Sequence, residues 1–193
     1  MYRVIVAVCI VTMLFSGCGN DRPPTTVATT SSPPPSTTPT PPQLPPFGTA
    51  DVREARPGDP AHLVAVRLAR EDGFDQLVLE FTDRVPGYTV GYGPLPARAD
   101  GSGAEIPLPG AGAKVSVSLN PASGDGWTDG VRTYFGPSTV TADTAAVTEA
   151  KAAGDFEAVL TWVVGLRAMV PFRVLVLDGP PRLVVDFQPA TPN

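Results

Sequence analysis

A single histidine, His62 in "PAHLV", is the entire imidazole supply of this 193-residue chain. A zinc hydrolase gathers several His and carboxylate ligands around one ion, and a Ser-His-Asp relay sets the imidazole beside a nucleophile. No HExxH or GxSxG pattern accompanies His62, so it reads as a surface histidine opening a strand. Paired carboxylates could cleave a glycosidic bond without histidine. Here the acidic residues scatter over turns and outward strand positions, and no pair stands out. Asp178 in "LDGPP" reads as a turn residue that bonds its own backbone. The segment "DGWTDG" imitates part of a calcium loop through Asp125, Asp129 and Gly130, yet lacks the middle oxygen ligand and the closing Glu. The expectation is a protein with no catalytic residue, no metal and no cofactor.

Recognition chemistry is better represented. The stretch "NPASGDGWTDGVRTYFGP", residues 120–137, is the longest irregular segment and holds Trp127, Tyr134 and Phe135. Long loops on rigid β scaffolds often carry binding sites, and an exposed indole can stack on a sugar face. Trp127 fits that role, or equally folds back to cap one end of the core. Tyr88 and Tyr92 share one face of "GYTVGY" and form either a second aromatic platform or core residues with paired hydroxyls. Trp162, inside "VLTWVV", is a core residue. Arg182 and Asp186 lie on one side of the last strand, about 13 Å apart, too far to pair with each other. Cross-strand partners such as Glu80 and Arg173 account for them; a sharper alternative has Arg182 grip a carboxylate or sugar.

The formal charge of −5 and the absence of a basic cluster make phosphate-backbone binding unfavourable, so no nucleic-acid partner is expected. Only two cysteines occur, Cys9 and Cys18. Arg3 gives a positive start, residues 4–15 are apolar apart from Thr12, and the small pair Ser16-Gly17 precedes Cys18. A run of about 12 residues spans only ~18 Å as a helix, short of the ~30 Å hydrocarbon core, and so reads as the core of a secretory signal. "LFSGC" resembles a bacterial lipobox. That resemblance implies cleavage after residue 17 and a Cys18 carrying diacylglycerol and N-acyl lipid. Each buried methylene contributes about 0.8 kcal/mol, so such chains moor a protein to the outer face of the cell membrane without a spanning helix. Cys9 leaves with the signal.

From residue 23 to 46 the chain reads "PPTTVATTSSPPPSTTPTPPQLPP". This composition cannot bury enough apolar surface to offset chain entropy, so residues 18–50 are expected to form a disordered stalk. In polyproline II, at about 3.1 Å per residue, such a stalk would lift the remainder toward ~90 Å from the bilayer. Its Ser and Thr residues either carry O-linked sugars or form a passive spacer.

Residues 51–193 must then position whatever binds. Period-two alternation dominates: Val64, Val66 and Leu68 in "VAVRLAR"; Leu77, Leu79 and Phe81 in "FDQLVLEFTD"; Val115, Val117 and Leu119 in "KVSVSLN". "PFRVLVL" and "RLVVDF" are nearly all apolar, as strands covered on both faces would be. Gly, Pro and Asp mark turns at "VPG", "PLPG" and "DGPP". The alanines of "DTAAVTEAKAAG", residues 143–154, suit a helix, while Val147 and Thr148 suit a strand. Many short strands in about 130 residues point to an all-β domain, a β-sandwich or closed barrel.

"GFDQLVLEF", "VPGYTVGYG", "GDFEAVLTWVVGL" and above all "PFRVLVLDGPPRLVVDF" resemble the AMIN-like domain of actinobacterial lipoproteins, over residues 62–188. The resemblance implies a β-sandwich, an envelope location and affinity for peptidoglycan or another wall glycan, with no catalytic residues to carry over. Two other functions stay open: a docking module that recruits an envelope protein through a sheet edge, and a glycan hydrolase.

Overall fold

The computed structural model describes residues 44–126 and 130–190. The signal segment, Cys18, most of the Pro/Thr stalk, Trp127 and Asp129 lie outside the described residues. The described residues form thirteen strands: β1 (Val52–Glu54), β2 (Ala61–Glu71), β3 (Phe74–Phe81), β4 (Gly87–Gly93), β5 (Ala97–Arg98), β6 (Glu105–Ile106), β7 (Ala113–Asn120), β8 (Ala122–Ser123), β9 (Thr139–Val140), β10 (Val147–Phe156), β11 (Val159–Leu166), β12 (Phe172–Leu177) and β13 (Arg182–Phe187). One sheet runs β1-β4-β7-β11-β10-β9 and the other β12-β13-β3-β2-β8, with β5 and β6 pairing as a small hairpin. All pairings are antiparallel except β2 with β8. Their inner faces share one core, which includes Leu77 and Phe81 from one sheet and Val117 and Trp162 from the other. The fold is all-β, two sheets face to face, which decides for the sandwich over the closed barrel. Among the described residues no helix is long and apolar enough to cross a membrane.

Alternation gave the inward sets on β3 and β7, where Leu77, Leu79, Phe81, Val115, Val117 and Leu119 are all buried; on β4 the structure turns Tyr88 and Val90 to the core. On β2 alternation failed by one position. A register shift between Leu63 and Ala65 turns Leu63 into the core and leaves Val64 only partly buried. The extra residue of a bulge flips the face of everything before it. β13 lies between β12 and β3 and is buried almost throughout, whereas β12 is an edge strand whose alternate residues reach solvent. The ambiguous 143–154 segment holds an irregular turn followed by β10, not a helix.

Two features brace the ends. Asp75 is fully buried near the start of β3 and accepts N–H bonds from Ala145 (3.0 Å), Ala146 (2.5 Å) and Val147 (3.0 Å). It thereby joins one sheet to the entry of β10 in the other. At the opposite end, the β10–β11 hairpin turns through Glu157 and Ala158, both at positive φ (50° and 61°). That geometry belongs to a two-residue type I′ loop. The β5–β6 hairpin covers the outer face of the six-stranded sheet. There Ala97, Ala153 and Val163 form a second small core with Ile106 and Leu108. On the N-terminal side, Gly48 bridges to Phe172, and Phe47 stacks beneath Arg173 at 4.4 Å.

Candidate functional site

The end of the sandwich that carries the Glu157-Ala158 turn holds a cavity of about 350 Å³. Its floor is Trp162 and Leu160 from β11 and Leu63 from β2. Tyr134 stands over this floor, its ring edge-to-face with Trp162 at 5.8 Å and 88°. Two glycines make room for that ring. A Cβ on Gly124 would lie 2.9 Å from the Tyr134 Cβ, and one on Gly136 would lie 2.6 Å from the ring. The Tyr134 hydroxyl donates to the carbonyl of Pro137 at 2.8 Å, and burial pushes its pKa up.

The loop bearing Tyr134 is tied at both ends. Thr133 and Tyr134 donate their N–H groups to the carbonyl of Gly124, and the Thr133 hydroxyl donates to the carbonyl of Leu63 at 2.7 Å. Asp155, the cross-strand neighbour of Leu160, accepts at Oδ2 from the N–H groups of Gly124 (2.7 Å) and Asp125 (2.9 Å). The other carboxylate oxygen, Asp155 Oδ1, is shut off from solvent with no hydrogen-bond partner. The same holds for the indole nitrogen of Trp162, a residue only 1% exposed. Each such group costs about 1–3 kcal/mol when buried unpaired. A donor and an acceptor, both unmatched, thus stand behind the wall of one cavity.

Two phenylalanines flank this end in the open. Phe135 is 76% exposed beside Tyr134, and Phe156 is 65% exposed beside Asp155. The Arg132 guanidinium lies over the Phe135 ring at 5.3 Å while its Nε donates to the carbonyl of Tyr134. Large aromatics kept in water next to a cavity suit a planar, partly apolar ligand surface.

The remaining residues nominated from sequence are dispersed. Trp127 lies outside the described residues, within the same loop as Tyr134. Tyr88 is 8% exposed and faces the core from β4; its hydroxyl donates to Glu54 Oε2 at 2.8 Å. Burial, reinforced by the Glu54 carboxylate, pushes the Tyr88 pKa up to about 12, and the same bond holds Glu54 below its usual value. Tyr92 also faces the core, edge-to-face with Phe172. It donates to the carbonyl of Val170 and accepts from the Val170 N–H at 3.0 Å. Burial raises its pKa as well. Arg182 stands opposite Glu80 in register, but Glu80 is paired with Arg67, and the Arg182 Nε donates to the carbonyl of Pro180. Asp186 does meet Arg173, at 2.8 Å, and also accepts from Gln76 at 2.8 Å.

His62 occupies the second position of β2, half-buried, with Nδ1 3.9 Å from the Asp83 carboxylate. Asp178 is exposed in the β12–β13 turn, and Asp125 is exposed at the loop's start. Among the described residues no three His, Cys, Asp or Glu side chains gather as metal ligands. Sequence reasoning passed over Asp155 and Phe156. Their "GDF" reads as an ordinary strand end, and only the hairpin register brings them beside the 120–137 loop.

The family model for the AMIN-like domain matches residues 61–189. No curated protein matches the chain. With two thirds of its length inside that match and an all-β core built by those residues, the chain belongs to the AMIN-like domain family.

Proposed function

We propose that the chain is an envelope lipoprotein, moored at Cys18 on the outer face of the cell membrane, whose AMIN-like domain binds peptidoglycan or another wall glycan without cleaving it. The observation that carries this reading is the cavity beneath Tyr134. Exposed Phe135 and Phe156 offer stacking surfaces, and Trp162 and Asp155 supply one unmatched donor and one unmatched acceptor behind the wall. An acetamido group complements this pair: its carbonyl accepts from an indole N–H, its N–H donates to a carboxylate, and its methyl fits the Leu63–Leu160 floor. Both atoms are buried in this structure, so the contact requires them to become accessible as the ligand binds.

Co-sedimentation with purified sacculi tests the reading. The parent chain should pellet, and Phe135→Ala/Phe156→Ala should weaken retention about tenfold, the scale of one or two lost aromatic contacts. Chitin oligomers should compete, and their de-N-acetylated forms should not. Absence of retention would transfer the role to protein docking, for which the edge strand β12 with its exposed Leu177 is the natural surface. Release of soluble fragments would make it a hydrolase. The anchor is tested separately: Cys18→Ser should lose both lipid mass and membrane fractionation.

A further inference from the structure

The opposite end of the sandwich holds a larger cavity, about 550 Å³, lined by the β2–β3 turn, the 145–146 segment, the β11–β12 connection and Pro189-Ala190. We propose that it is a second binding site, for a small carboxylate carried on an apolar group. Arg70 and Arg167 both line it. Arg167 is fixed in place: its N–H donates to the carbonyl of Ala146 at 2.9 Å and its Nε to that of Ala145 at 3.2 Å. Those bonds leave its two terminal nitrogens for a ligand. Arg70 faces the same side as Asp75, directly across from it in register. Among the described residues neither arginine has a carboxylate within 4 Å; the Asp75 carboxylate is engaged instead by the N–H groups of Ala145, Ala146 and Val147. The same three bonds hold the 145–147 wall rigid.

Charge and shape then select the ligand. Two guanidiniums and two carboxylates, Glu71 and Asp75, line the cavity, so the lining carries no excess positive charge to hold a dianion. That balance favours a monoanion over a phosphate dianion, and a planar fork suits a carboxylate's two oxygens. Phe74, Ala168, Val170 and Pro189 supply apolar wall on either side, so the carboxylate should bear a small apolar substituent. The site lies at the far end of β2 from the aromatic cavity and shares no lining residue with it.

Saturation-transfer NMR on the full chain in detergent, titrated with N-acetylalanine, tests this. N-acetylalanine should saturate, its amide should not, and inorganic phosphate should bind more weakly. Arg70→Gln and Arg167→Gln should each weaken N-acetylalanine about tenfold or more, since each removes charge-assisted hydrogen bonds. Arg53→Gln, on the edge strand β1, should leave it unchanged. Equal binding of the amide, equal or tighter phosphate binding, or parent-like affinity in both cavity variants would each overturn the assignment. Retention on sacculi by Phe135 and Phe156 is read independently, so either site can fail without the other.

Discussion

Removing the Asp75 carboxylate should be among the more damaging single changes in this domain. Asp75→Ala deprives three N–H groups, those of Ala145, Ala146 and Val147, of their acceptor in a place where Asp75 itself has no exposed surface. An unsatisfied buried N–H costs about 1–3 kcal/mol. Three of them give about 3–9 kcal/mol before relief. Two effects reduce this: a carboxylate no longer has to be desolvated, and water can follow the cavity beside the 145–146 segment. We expect a net loss of about 3–5 kcal/mol, or roughly 12 °C in Tm for a domain of this size. Asp75→Asn keeps one acceptor oxygen but turns an N–H₂ toward one of the donors, so it should lose about half as much. Urea denaturation gives the free energies, and hydrogen exchange at residues 145–147 gives a local readout. If Asp75→Ala unfolds within 1 kcal/mol of the parent with those amides still protected, the carboxylate is not what joins the sheets.

Three further predictions concern single positions. Ala158→Gly removes an L-residue from the left-handed region at φ 61°; it should raise stability by about 0.5–1 kcal/mol, and a lower urea midpoint would contradict the type I′ reading. Tyr88 has a folded pKa of about 12 against an unfolded 10.0, so its contribution is intact below pH 10 and drains away as pH rises toward 12. Tyr88→Phe should therefore flatten the alkaline limb of the Tm profile, and an unchanged limb would locate the titration elsewhere. Gly136→Ala puts a methyl 2.6 Å from the Tyr134 ring; it should shift Trp162 emission and cost about 1–3 kcal/mol as the ring is displaced. Parent-like fluorescence and stability would show that Tyr134 does not depend on that clearance.

Period-two patterning pointed to the all-β class and the inward residues of β3 and β7, because a pleated strand has only two faces and the core claims one of them. The same reasoning missed the β2 bulge, since an extra residue leaves no mark on composition. The candidate site was half legible. Tyr134 and Phe135 announced themselves as aromatics in a long glycine-rich loop, and Tyr88 and Tyr92 looked equally suitable on the same grounds. Only their neighbours distinguish them: Tyr88 and Tyr92 turn into the core and spend their hydroxyls on Glu54 and Val170, while Tyr134 roofs a cavity.

What the sequence determined by itself were properties of local composition: an apolar start ending at Cys18, a proline-rich stretch after it, and period-two strands in a chain with a single histidine. What the tertiary structure decided were the meetings between distant residues. Asp155 reaches the 124–125 backbone through the β10–β11 hairpin, and Asp75 reaches residues 145–147 across the two sheets. Arg70 from β2 and Arg167 from the β11–β12 connection come to one cavity. The reason is that strand pairing joins segments by register, and register depends on the whole buried face rather than on any residue's neighbours in sequence.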